Sequence, residues 1–265
     1  MTWLKLLGIG CGAHITHNAA KHGCQMLEIN FESLAVNLFN HFKIHAVRTA
    51  TFKSVCDELD CVFMPLKSHS GTRFLSLNPA INRIIQMFEP LSEYFLSLSQ
   101  CPPSIRCFFQ NAKSKFWLVF IEYQTKSFNS AIEKMERSTT SSFEAAKELR
   151  ILKLKIQNRM RLNYLPHEAE AENQKLNFIQ QQQIQVELSK FYQSVIYYID
   201  LWENSYDGTE VFFWISMCRF PEWKMVLDSF EFAVSRYGEE LRQIINRDQC
   251  NAMNLESSKN FVLIK

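Results

Sequence analysis

From residue 81 to residue 202 the apolar side chains return every three or four positions, a rhythm that one face of an α-helix satisfies and a strand does not. Ile81, Ile84, Phe88, Leu91, Phe95 and Leu98 make the first stripe. Pro90 interrupts it and predicts a kink or a restart, because proline lacks the N–H that a helix interior needs. Pro102-Pro103 is a firm break. Leu118, Ile121, Thr125, Phe128, Ile132 and Met135 form the second stripe. The third is Ala145, Leu149, Leu152, Ile156 and Met160, with Lys147, Arg150, Lys153 and Arg159 on its wetter sides. Residues 138–142 read as a linker that can cap this helix. Residues 163–174 read as a polar loop, after which Gln180 to Gln183 open a long helix. Its face is Ile184, Leu188, Phe191, Val195, Tyr198 and Trp202. Residues 204–209 predict a turn, 211–215 a short strand and 222–237 a helix. With 22 Phe against seven Gly and seven Pro, the composition suits long packed helices rather than a many-turned sandwich.

Charge and cysteine narrow the class further. Residues 1–167 carry 20 Lys and Arg against 12 Asp and Glu, and residues 168–265 carry 9 against 15. A basic front and an acidic back fit nucleic-acid contact, docking of the two halves, or ordinary solvated helix faces. Eight irregularly spaced Cys are no disulfide framework, and several sit in apolar stretches, so a reducing compartment, nucleus or cytoplasm, is expected. The longest apolar run singled out, residues 116–121, is six residues, far short of the roughly 20 that span a membrane, so no membrane association is expected.

Three local patterns carry candidate chemistry. Gly8-Ile-Gly10-Cys-Gly12-Ala13 fits G-x-G-x-x-A, with Glu28 downstream, and gives the alternative reading of a nucleotide-binding enzyme. The strand-helix alternation that such a fold needs is missing after residue 31. Cys11 and His14 share a helix face and suit two zinc ligands, with His17, His22, Cys24, Cys56 and Cys61 at spacings that complete no regular site. A hydrogen-bonded, partly buried His14 is the plainer expectation, and neither cofactor nor metal is expected. Ser68-His69-Ser70 sets hydroxyls beside an imidazole, but adjacent side chains diverge and no G-x-S-x-G elbow exists. Ser70 or Thr72 reads instead as a helix cap. Asp57, Glu58 and Asp60 read as a solvated surface cluster, and no Asp precedes them.

Taken in order, Cys11-x-x-His14, the helices to about residue 60, Ser68-His-Ser-x-Thr-Arg73-Phe74 and the long helical segment resemble hAT-family transposases, above all their domesticated animal derivatives. His41-Phe42, Ser76-Leu77-x-Pro79-Ala80-Ile81 and Tyr94-Phe95-Leu96-Ser97 have the same character, and the likeness covers about residues 8–235. The resemblance implies a mainly α chain in which a partial ribonuclease-H-like core is interrupted by a large helical insertion. The expected division is core with the C-x-x-H and Arg73-Phe74 motifs over 1–98, insertion over 99–204, and return to the core with a weakly patterned tail over 205–265. The family holds two metals with three carboxylates, two of them Asp upstream of Cys-x-x-His. Those two positions are missing here, and the third falls among Glu222, Glu231, Glu239 and Glu240. Phe74 also departs from the family's Arg-Trp pair. The expectation is therefore a truncated, catalytically inactive module. Its candidate DNA contacts are Lys147, Arg150, Lys153 and Arg159, and uncovered apolar helix faces would serve a protein partner or self-association.

Overall fold

The computed structural model describes residues 11–70, 76–137, 140–206, 208, 211 and 222–238. The fold is mainly helical. Its helices are α1 (Gly12–Gln25), α2 (Phe31–Lys43), α3 (Ala46–Glu58), α4 (Leu77–Gln86), α5 (Phe88–Ser97), α6 (Pro103–Gln110), α7 (Ser114–Met135), α8 (Ser142–Arg161), α9 (His167–Asn173), α10 (Phe178–Glu203) and α11 (Trp223–Tyr237), with a short 3₁₀ turn at Asn204–Tyr206. No strand occurs among the described residues. Of the predicted strand 211–215, only Val211 lies among them.

The centre of the fold is α7. Residues 116–121, six apolar side chains in a row, are all buried, so this helix is apolar on every side and needs neighbours all round. It has them: α1, α4, α8 and α9 pack against it. Sequence gave α7 one buried stripe; the structure also buries Glu122, Gln124 and Ser127. One hydrophobic cluster then runs from Ile15 to Tyr206, across the position where the resemblance puts the boundary between core and insertion. Each fully buried Phe or Leu in it contributes roughly 1.5–3 kcal/mol.

The local signals explain the helix ends. The first stripe restarts at Met87, whose φ of −108° breaks α4 from α5. Pro90 lies in the first turn of α5, where its missing N–H has no intrahelical acceptor to lose. Pro103 occupies the same kind of position in α6. Ser141 and Glu144 form a reciprocal capping box at the start of α8, and Asn177 and Gln180 form another at α10. The predicted loop at 163–174 is a correction: it holds helix α9, which buries Ala169 and Asn173 and packs on α7. The long α10 also departs from its expected face. Tyr192 and Ile199 are buried, while Tyr198 is half-buried and Trp202 is exposed. The helix packs on α8 as well as α1, and this turns its buried arc toward α8.

A second layer, α2, α3, α5 and α6, closes around aromatic rings. Phe42, Phe52, Tyr94 and Phe95 meet with centroids 5.0–5.8 Å apart. His41 sits among them, with Nε2 3.0 Å from the Tyr94 hydroxyl. Burial, then the charges of Arg48 and His45, push its pKa down to about 4. An unfolded histidine titrates near about 6.5. Between those values the unfolded chain takes up a proton that folded His41 refuses. This contribution to stability is therefore complete above about pH 6.5, is lost as pH falls toward about 4, and levels off below. Melting temperature followed from pH 7 to 4 is expected to fall through this window. His41→Gln is expected to make the fall shallower, though His17 and His69, also lowered by burial, keep part of it.

Candidate functional site

Cys11 caps α1 by position, with φ −59° and ψ 121°, and its side chain makes no capping bond. His14, expected to be partly buried, is exposed, because the buried arc of α1 is set by Ala13, Ile15, Thr16, Ala19, Ala20 and Gly23. His22 stacks on Tyr198 at 4.5 Å, and Cys56 and Cys61 belong to the end of α3. Among the described residues no three His, Cys, Asp or Glu gather as a metal-binding group. Gly8 and Gly10 lie outside the described residues, as do Thr72, Arg73, Phe74, Glu239 and Glu240. Ala13 is buried in α1, and Glu28 is tied to Lys113 at 3.1 Å. Glu222 and Glu231 are exposed at the start and on the side of α11.

Around Ser68-His69-Ser70 the partner of the imidazole is a hydroxyl seven residues on. His69 Nδ1 lies 2.8 Å from Ser76 Oγ, which also accepts the Ser70 N–H at 3.0 Å. Ser76 therefore staples the segment shut where α4 begins. Helix α4 starts at Leu77, so Ser70 is not its cap.

A cavity of about 240 Å³ opens between the end of α1, the start of α2 and the start of α4, lined among others by Lys21, Cys24, Glu28, Phe31, Glu32 and Leu77. Its charged groups are already engaged. Lys21 faces Glu32 at 3.5 Å, and Lys113 holds Glu28 at 3.1 Å and Glu187 at 2.8 Å. Burial works against the Lys113 ammonium, but the hydrogen bonds it donates to Glu187 and Glu28 outweigh it and hold its pKa above the usual lysine value. Burial pushes the Cys24 thiol up to about 12, so no thiolate is on offer at neutral pH. The cavity is therefore a set of satisfied pairs.

The four basic residues of α8 do not make one open face. Lys147 is exposed. Arg150 pairs with Glu203 at 3.5 Å, and Lys153 pairs with Asp200 at 2.6 Å and with Glu203, tying α8 to α10. Arg159, placed on a wet side by the helical spacing, is a correction: it is only 6% exposed. Its Nη1 donates to Gln124 Oε1 at 2.6 Å, its Nη2 donates to Ser127 Oγ at 3.0 Å, and its guanidinium lies over the Tyr123 ring.

The outward side of α10 is the surface that sequence reading passed over. Ile179, Val186, Tyr197 and Leu201 are 68, 56, 63 and 57% exposed. At about 100° per residue, the steps of seven and eleven between the first three return to within roughly 20° of the same direction, and the last step of four adds about 40°, so these residues form one stripe opposite the buried one. The signal was present as apolar residues at those steps, between the glutamines. No family model, curated protein or solved structure matches this chain.

Proposed function

We propose that this chain is a non-catalytic, helical protein-interaction module whose docking surface is the outer stripe of α10. Its occupant is an amphipathic helix that offers apolar side chains and a carboxylate opposite Lys190. The observation that carries this reading is the alignment of Ile179, Val186, Tyr197 and Leu201 on one exposed face of a 26-residue helix. Lys190 is exposed midway along the stripe. A two-fold pairing of two copies through it, parallel or antiparallel, would set Lys190 against Lys190, so charge favours a different partner over self-association. The cavity supports the non-catalytic part, since its acids and bases are held in ion pairs and its thiol is protonated. The hAT-like order of motifs supports descent from a transposase-type ancestor and nuclear residence. Duplex contact through α8 draws less support, because Arg150 and Lys153 already face carboxylates and Arg159 is buried.

The test uses the full chain carrying a photo-crosslinking amino acid at Val186, with the same group at exposed Glu93 as control. Partner adducts are expected from position 186 only. Val186→Glu with Tyr197→Glu is expected to weaken capture at least about tenfold at unchanged helicity, because charges in the centre of an interface cost about 2 kcal/mol or more. Equal capture by the wild type and the double variant would sink the proposal.

A further inference from the structure

A buried guanidinium needs a compensating anion or very good neutral partners, because desolvation of an ion costs several kcal/mol. Arg159 has the neutral partners Gln124, Ser127 and Tyr123, and no carboxylate among the described residues lies within ion-pair distance of it. Lys155 stands one turn earlier on the same face of α8, exposed and equally without a carboxylate in that range. Among the described residues, two positive charges thus sit one helical turn apart with no carboxylate in ion-pair range of either. The negative end of the α8 dipole amounts to about half a charge and is screened by water, so it does not balance them.

The end of α8 places two hydroxyls at the same spot. Asn163 has φ +46°, its N–H bonds Met160 O at 3.2 Å, and the Tyr164 N–H bonds Arg159 O at 2.9 Å. This left-handed closure folds the chain back and sets the Tyr164 hydroxyl 3.2 Å from that of Tyr123. Tyr164 is 39% exposed, and Tyr123 is half-buried over the guanidinium. A pair of phenol donors, a mobile ammonium and a fixed guanidinium behind them is the donor set that a tetrahedral oxyanion takes.

We propose that Lys155, Tyr123 and Tyr164 form a phosphate-binding subsite, with Arg159 as the fixed charge behind it. The ligand is inorganic phosphate or the phosphate of a monoester, which displaces the bond between the two phenols so that its oxygens accept from both O–H groups and from Lys155 Nζ. The electrostatics agree. The bond from Tyr164, and then the charges of Arg159 and Lys155, lower the Tyr123 pKa, while partial burial and Arg159 lower that of Lys155. A bound anion relieves the repulsion between the two cations.

The experiment is thermal melting and calorimetric titration of the full chain with sodium phosphate, with sodium chloride at matched ionic strength as control and phosphoserine as a second probe. Phosphate is expected to raise the melting temperature where chloride does not. Lys155→Met and Tyr164→Phe, at positions exposed enough to spare the core, are each expected to weaken binding about tenfold, as loss of a charge-assisted hydrogen bond does. Tighter phosphoserine than phosphate assigns the site to a monoester, and the reverse assigns it to the free ion. No phosphate effect beyond chloride, or an undiminished effect in the Lys155→Met variant, overturns the subsite.

Discussion

Replacing Gly23 by valine is expected to lower the stability of this protein by about 3 kcal/mol or more, one of the largest losses that a small side chain can cause here. Helices α1 and α10 pack directly against each other at this residue. A Cβ on Gly23 would stand 2.6 Å from Val195 Cγ2 and 2.8 Å from Phe191 Cε2. Both neighbours are fully buried, at 0 and 1% exposure, so neither has room to retreat. Alanine decides between two opposing effects. It gains about 1 kcal/mol of helix propensity over glycine and meets an overpacking cost of about 1–3 kcal/mol. With two contacts under 3.0 Å, overpacking is expected to win, for a net loss of up to about 2 kcal/mol. Combining Gly23→Ala with Val195→Ala removes the nearer contact, and the pair is expected to lose less than the sum of the single changes. Urea denaturation of the four proteins measures this. A Gly23→Ala protein more stable than the parent would mean that α1 and α10 do not approach as closely as this fold requires.

The helices were legible because periodicity is local, and what was missed depends on partners distant in sequence. The restart near Pro90, the cap within 138–142 and a long helix opening near Gln180 all follow from residues within one turn, though the Asn177 cap sets the start of α10 two residues earlier. Arg159 shows the opposite. Its position within α8 says surface, but Gln124, Ser127 and Tyr123 from α7 close over it, and a single helical stripe carries no record of them. Helix α9 was hidden for a similar reason. Seven residues with buried Ala169 make a weak pattern, and the surface that buries them is α7. On α10 the expected stripe held through Val195 and then turned toward α8, where Lys153 meets Asp200 and Glu203. The same helix hid the proposed docking face, since attention to the buried stripe leaves its exposed counterpart unread. Of the site residues, Cys11 caps α1 and His14 lies exposed in its first turn, with no metal-binding group around them among the described residues. The Tyr123–Tyr164 pair, 41 residues apart, had no signal in spacing at all.

Trp117→Ala is expected to be the other severe change, at about 3–5 kcal/mol, and Trp117→Phe tells why. The indole is 0% exposed in the first turn of α7, edge-on to Phe116 and Phe120 at centroid distances of 4.9 and 5.6 Å. Its ring is fully buried, and alanine would leave a cavity that the surrounding core only partly collapses into. The indole also carries a defect, because its buried Nε1–H has no hydrogen-bond partner among the described residues. An unmet buried donor costs about 1–3 kcal/mol. Phenylalanine gives up part of the ring volume and removes that donor, so the two terms oppose each other, and the net loss is expected to stay below about 1 kcal/mol. Denaturant midpoints of the two variants separate the contributions. A large loss for alanine with a small one for phenylalanine shows that Trp117 is kept for its volume. Equal losses would show that Nε1 is hydrogen-bonded in solution, and that the polar group, not the ring alone, holds α7 in place.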